Sequence, residues 1–213
     1  MTAATTLTLY HHPHSRSAGT RVMLEELVLE DAGADYRIEL VDLQAGDQRK
    51  PEFLALNPLG KIPTLVDGDT VVTEQVAIHL YLADRFPASG LAPAIGEPGR
   101  GSYLRWMVYY ASCFEPAVVD RSMKREPAAR ATSPYGDFDT MLDALTAQIG
   151  RGTWMLGERF SAADVLWGSA LNWTMRFGLV PESPVLRAYV ERATARPAFQ
   201  RAAELDAALL ASA

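Results

Sequence analysis

Residues 57–75 constrain this chain more than any other stretch: Asn57-Pro58-Leu59-Gly60-Lys61-Ile62-Pro63-Thr64-Leu65-Val66-Asp67-Gly68-Asp69-Thr70-Val71-Val72-Thr73-Glu74-Gln75. Asn57-Pro58 and Gly60 make turns, because proline fixes φ while glycine and asparagine accept φ > 0. Pro63 stands where a strand begins, a position a sheet tolerates because no ladder N–H is needed there. Residues 64–66 and 70–72 are β-rich runs. Asp67-Gly68 between them predicts a hairpin, with Asp69 stretching the loop slightly beyond two residues. Glu74 and Gln75 then open a helix with an apolar stripe at Val76, Ile78, Leu80 and Leu82, with His79 inside it.

The order of these parts suggests a binding device. A cis bond before Pro63 would turn the N–H and C=O of Ile62 away from the sheet, where they can pair with an extended peptide as an added strand would. Glu74 and Gln75 lie at a helix N-terminus, where backbone N–H groups favour a carboxylate. The stretch thus offers a peptide-backbone clamp and a carboxylate/amine clamp one strand apart. An ordinary hairpin with an edge proline accounts for each part alone, but the order strand-Pro, hairpin, Glu-Gln-helix is more specific.

Asn-Pro-x-Gly-x-Ile-Pro-Thr-Leu, followed by a hairpin and a Glu-Gln-x-Ala-Ile helix, resembles the glutathione-binding half of a cytosolic glutathione S-transferase, and the resemblance extends over nearly the whole chain. It implies that Pro63 is cis, that the Ile62 backbone binds the cysteinyl unit of glutathione, and that Glu74 and Gln75 bind the γ-glutamyl unit. Lys61, with Gln48 and Lys50 from the preceding loop, is placed to meet the glycyl carboxylate, although each also reads as a solvated surface residue.

The rest of the chain predicts two domains. Residues 7–10 alternate as a first strand, 11–19 form a loop, and a helix runs from about Thr20. Glu25, Glu26, Glu30 and Asp31 fall on its wet side, and it stops near Gly33. That helix is a few residues longer than the family pattern, so an extra helical turn is expected. Residues 36–41 make a second strand and 51–56 a short helix. The pattern βαβ–α–ββα is a thioredoxin-like α/β fold spanning residues 1–85. Proline and glycine break the pattern at 86–98, a linker. Residues 99–213 then read as an all-α domain: aromatic helix 103–119, polar gap 121–133, and helices at 138–149, 161–177, 185–196 and 197–210, the last alanine-rich and expected to fray. Ser161-Ala162-Ala163-Asp164 predicts a helix start with a capping box, stapled by Phe160 and Val165 and worth ~1–2 kcal/mol. It resembles the capping box of the family's helical domain, a folding element rather than a catalytic one.

Composition excludes several roles. A formal charge of −6 argues against nucleic acid, whose phosphates require a basic patch. One cysteine, Cys113, allows no internal disulfide and fits a cytoplasmic setting. Neither a signal peptide nor a membrane span is read. Cys113 has no basic neighbour in sequence and reads as inert packing.

The reactive loop belongs after the first strand. A glutathione thiol with a pKa near 8.5 is only about 3% ionised at neutral pH, and lowering it by about two units requires roughly 2.7 kcal/mol of differential stabilisation. A hydroxyl donor, free helix N–H groups and a nearby cation supply that; Ser15, Arg16 and Ser17 are those groups. Tyr10-His11-His12-Pro13-His14-Ser15 matches the family's serine-type pattern strand-Tyr-x-x-Pro-x-Ser, which favours Ser15. Counting back from the helix, cysteine-type members carry their sulfur at Arg16, which leaves Ser17 open. Both serines also read as helix caps, and either would stabilise a thiolate rather than act as a base. His11, His12 and His14 suggest a metal, but no cysteine or carboxylate stands at ligand spacing, so no metal is expected. Tyr10 reads as core or as a support behind the site, and His79 as a structural histidine. Trp106, Tyr109, Tyr110 and Phe114, with His12, are the candidate wall of an electrophile pocket, although an aromatic stripe at helical spacing is more often core.

The function implied is a glutathione transferase attacking small hydrophobic electrophiles, with glutathione as co-substrate. The resemblance further implies a homodimer. Other glutathione reactions share the thiolate (isomerisation, peroxide reduction, dehalogenation, ether cleavage). A non-catalytic carrier of glutathione or apolar ligands is the third reading.

Overall fold

A computed structural model describes residues 6–126 and 128–212. The chain forms two compact units, Met1–Gly90 with Arg196–Ala213, and Leu91–Ala195. The last helix therefore groups with the first unit, whereas the sequence pattern puts it in the helical domain.

The first unit contains β1 (Leu7–His11), α1 (Ser17–Leu29), β2 (Tyr36–Leu40), α2 (Pro51–Leu56), β3 (Thr64–Asp67), β4 (Thr70–Thr73) and α3 (Gln75–Arg85), joined by α9 (Pro197–Ser212). The sheet order is β2-β1-β3-β4. β1 runs parallel to β2, while β3 is antiparallel to both β1 and β4. This is the thioredoxin-like arrangement. β1 is central and its Leu7, Thr8 and Leu9 are all buried, as a strand covered on both faces requires. The hairpin is tighter than predicted. Asp67 pairs with Thr70 inside the ladder, leaving Gly68-Asp69 as the two-residue loop, with Gly68 at φ 58°.

Two expectations for α1 fail, and α9 explains the first. Glu25 and Glu26 are buried, not solvated: the Arg196 guanidinium donates two bonds to Glu26 at 2.7 Å each, Arg201 forms an ion pair with Glu25 at 2.7 Å, and the Tyr36 hydroxyl donates to Glu25. Buried carboxylates persist when paired in this way. The extra residues after α1 make no further helical turn. Asp31 (φ 50°) and Gly33 (φ 79°) are left-handed, and the Ala32 N–H returns to the Leu27 carbonyl at 3.1 Å, which closes the helix.

The second unit holds α4 (Arg100–Tyr109), a π turn at Tyr110–Phe114, α5 (Glu115–Ser122), α6 (Phe138–Ile149), α7 (Ala162–Arg176) and α8 (Pro184–Thr194). Pro116 brings no N–H to close an i→i−4 bond onto Ser112, and the helix widens there. The aromatic stripe is this unit's core. Trp106, Tyr110 and Phe114 are buried edge-on around buried Trp167, at centroid distances of 6.4, 5.5 and 5.1 Å. Half-buried Tyr109 packs against Trp106 at 5.0 Å and donates its hydroxyl to the Met141 carbonyl at 2.9 Å. The pocket-wall reading of Trp106, Tyr110 and Phe114 is corrected accordingly: Trp167, far along the sequence, gives the stripe a core partner. Cys113 is half-buried, its thiol 3.5 Å from the Pro134 carbonyl.

The capping box is present. Asp164 accepts from the Ser161 N–H at 3.0 Å, and its other oxygen accepts from the Met155 N–H at 2.7 Å and the Tyr189 hydroxyl at 2.9 Å. Among the described residues, no helix is long and apolar enough to cross a membrane.

Candidate active site

Two loops of the first unit carry the predicted site residues. In the first, between α2 and β3, Asn57 is buried and acts as the organiser. Its amide donates to the Lys61 carbonyl at 2.8 Å and to Thr64 Oγ1 at 3.3 Å, and its oxygen accepts from the Leu59 N–H at 3.1 Å. Gly60 has φ 60°, and a Cβ there would lie 2.8 Å from the Gln48 carbonyl, so only glycine lets the two loops touch. The Ile62–Pro63 bond is cis. Ile62 precedes β3, and no hydrogen bond joins its backbone to another described backbone group. Pro63 is buried and the Lys61 side chain is exposed, as is that of Lys50, which pairs with Asp47 at 2.6 Å.

At the far end of the hairpin, Glu74 holds φ 66° and ψ 117°, a region a side chain occupies at a cost of order 1–3 kcal/mol. Its carbonyl accepts the Ile78 N–H at 2.9 Å, so it starts α3 from a strained conformation, with its carboxylate exposed and half-buried Gln75 next to it.

The second loop links β1 to α1. Ser17 is fully buried, while Ser15 is half-buried and Arg16 exposed. The two serine hydroxyl oxygens lie 2.6 Å apart. Ser15 Oγ accepts the Ser17 N–H at 3.1 Å and sits 2.8 Å from the His12 carbonyl. Ser17 Oγ accepts the His12 N–H at 3.1 Å and sits 3.2 Å from the same carbonyl. The Ser17 and Ala18 N–H groups are thus taken up within the loop, the latter by the Ser15 carbonyl at 3.1 Å. They are not free for a ligand, contrary to the sequence argument.

Fully buried His11 lies behind the serines. Its Nδ1 is 2.8 Å from Ser17 Oγ, and its Nε2 is 3.0 Å from Asp206 Oδ1 on α9. Arg21 of α1 donates to the same Asp206 oxygen. His12 is half-buried and its Nδ1 accepts the His14 N–H at 3.2 Å, which makes it a brace for the loop. Burial, and then the charges of His14 and His11, lower its pKa. Half-buried Tyr10 packs edge-on to Phe53 at 5.5 Å. Among the described residues, no group of three or more His, Cys, Asp or Glu is placed to hold a metal.

The family models for the N-terminal and C-terminal domains of glutathione S-transferases match residues 5–84 and 127–192. A maize relative, glutathione S-transferase 3, is 32% identical over 82% of this chain and 84% of its own length. The chain belongs to the glutathione S-transferase family. Its members carry more than one name: an Escherichia coli relative, 30% identical over 83% of this chain and 86% of its own, is called a disulfide-bond oxidoreductase. Among solved structures, a glutathione transferase from Methylococcus capsulatus superposes with a TM-score of 0.79 at 30% identity, covering 95% of this chain and all of that one. A sphingomonad glutathione S-transferase complexed with glutathione gives 0.75 at 32%, covering 94% and 98%.

The residues present fit glutathione as co-substrate. A peptide-like ligand needs an unpaired backbone edge, which Ile62 has; its carboxylate and amine need a helix N-terminus and an acid, which α3 and Glu74 present. Sequence reasoning missed two groups at the site. His11 was visible in the histidine cluster but carried only a metal reading. Asp206 lies 195 positions away in an alanine-rich helix and sends no signal in the sequence.

Proposed function

We propose that this glutathione transferase ionises the thiol of glutathione at Ser15 and directs it at a small hydrophobic electrophile. The observation that carries the assignment is the burial contrast between two adjoined hydroxyls: Ser17 is sealed in the protein and Ser15 is half-open. Only an accessible hydroxyl can donate to a sulfur. Ile62, Pro63, Glu74 and Gln75 hold the tripeptide, and exposed Lys61 is the cation for its glycyl carboxylate. Arg16 adds a positive charge beside the thiolate, which favours the ionised form.

Attack on an electrophile is the reading that the transferase relatives and solved neighbours favour; isomerisation, peroxide reduction, dehalogenation and ether cleavage would use the same thiolate, and simple carriage would not require it to ionise. The protein acts in the cytoplasm as a homodimer. Exposed Leu59 and Val71 on the first unit support association, which light scattering on the purified protein tests.

The deciding experiment titrates the ultraviolet thiolate band of bound glutathione in wild type and Ser15→Ala. The expected result is a bound thiol ionised at neutral pH in wild type, and a pKa raised by a unit or more in Ser15→Ala with binding retained. An unchanged titration in Ser15→Ala removes Ser15 from the role. Binding without ionisation in wild type makes the protein a carrier.

A further inference from the structure

The serines do not end the hydrogen-bond chain. Starting at the half-open Ser15 hydroxyl it runs 2.6 Å to Ser17 Oγ, 2.8 Å to His11 Nδ1 and, across the ring, 3.0 Å from Nε2 to Asp206 Oδ1. A buried histidine needs one partner per nitrogen, and packing alone would be served by any two. Here one partner is a carboxylate and the other opens, through two hydroxyls, onto the place where the thiol must lie. We propose that Asp206, His11 and Ser17 form a proton relay that takes the thiol proton of glutathione and turns the Ser15 hydroxyl toward the thiolate. This rests on the reading that Ser15 meets the sulfur.

Counting donors and lone pairs shows that the relay closes. With Asp206 ionised, His11 Nε2–H donates to it, and Nδ1 of the neutral ring accepts from the Ser17 hydroxyl. Ser17 Oγ has two lone pairs; one takes the His12 N–H and the other takes the Ser15 proton. Ser15 Oγ takes the Ser17 N–H, leaving one lone pair for an S–H. When the thiol ionises, the S–H bond breaks and an O–H bond forms on Ser15. Ser15 passes its own proton to Ser17, and Ser17 passes its own to His11 Nδ1. One proton leaves sulfur, one arrives on the imidazole, the electron pair stays on sulfur, and the site's net charge is unchanged.

The reversed chain is the one a thiolate needs. Nδ1–H now donates to Ser17, and Ser17 donates to Ser15. Both Ser15 lone pairs are filled, so its proton is offered outward, to the sulfur in preference to the uncharged His12 carbonyl at 2.8 Å. The charged groups around the ring are Asp206 of α9, Arg21 of α1 and His12 of the loop. Asp206 pairs the imidazolium, which would otherwise be an isolated buried charge. His11 and Asp206 are positioning residues that act through the serines, and α9 becomes part of thiol activation.

Proton counting on the wild-type protein tests this without a variant. Glutathione is bound near neutral pH in weak buffer with an indicator dye, and thiolate absorbance and proton release are read together. The relay requires a thiolate band with far less than one proton released per thiolate. A full proton released per thiolate overturns the relay and leaves Ser15 as donor. No thiolate band in wild type overturns the proposed function and the relay with it. Asp206→Asn keeps the shape and loses the charge. It should raise the bound-thiol pKa by about one unit, a roughly threefold loss of thiolate and of kcat at neutral pH, with KM for glutathione unchanged. Ser17→Ala, which leaves the α1–α9 ion pairs intact, should do the same. A folded Ser17→Ala or Asp206→Asn with wild-type thiolate titration refutes the relay.

Discussion

Asp164→Ala tests the physics of the second unit. The carboxylate is fully buried, and its loss strands three donors, the Met155 N–H, the Ser161 N–H and the Tyr189 hydroxyl. At about 1–2 kcal/mol for each orphaned buried donor, the gross cost is roughly 3–6 kcal/mol. Burial acts the other way. It pushes the Asp164 carboxyl up to about 6 against the pull of those same donors. A folded-state pKa raised from an ordinary value of 3.8 means a contribution fully present below that value and lost as pH rises through about 6. The charge so buried costs wild type about 3 kcal/mol at neutral pH, a penalty alanine does not carry. The net loss is therefore roughly 3–6 kcal/mol in acid and about 0–3 kcal/mol at neutral pH, where each kcal/mol moves Tm by roughly 2–4 °C. Urea unfolding of both proteins across that range measures the difference. A gap between wild type and variant that stays level, or widens toward neutral pH, refutes the assignment of burial as the dominant influence on this carboxyl.

Three further outcomes follow from the first unit. Arg196→Ala leaves Glu26 buried without its bidentate partner and should cost ~2–4 kcal/mol, part of it regained by adding Glu26→Gln; a thermal melt of the two variants reads both. Gly60→Ala puts a Cβ 2.8 Å from the Gln48 carbonyl at φ 60°, so it should cost ~1–3 kcal/mol and weaken glutathione binding, and a calorimetric titration with wild-type affinity would count against it. Glu74→Gly relieves a left-handed side chain, so stability should change by no more than ~1 kcal/mol while glutathione affinity falls; a marked loss of stability would show that Glu74 is structural.

Much of this was legible because it is written in short-range code. Turn formers, the edge proline, the hairpin and the capping box each act over a few residues, so the cis bond before Pro63, the place of the hairpin and the helix start at 161–164 read correctly from sequence. Where Glu25 and Glu26 face, and what the aromatic stripe does, were not legible. Glu25 and Glu26 look solvated until Arg196 and Arg201 arrive from 170 and 176 positions later, and Trp106 looks like a pocket wall until Trp167 covers it.

The sequence by itself determined the element order, the thioredoxin-like class, the proline turn at Ile62–Pro63 and the serine-bearing loop between the first strand and the first helix. These depend on local backbone preference and hydrophobic period, which each residue carries with it. Only the tertiary structure buried Ser17 while leaving Ser15 half-open, and only it joined them to His11 and Asp206. Burial and hydrogen-bond direction are properties of what surrounds a side chain, and here the surroundings come from a helix at the other end of the chain.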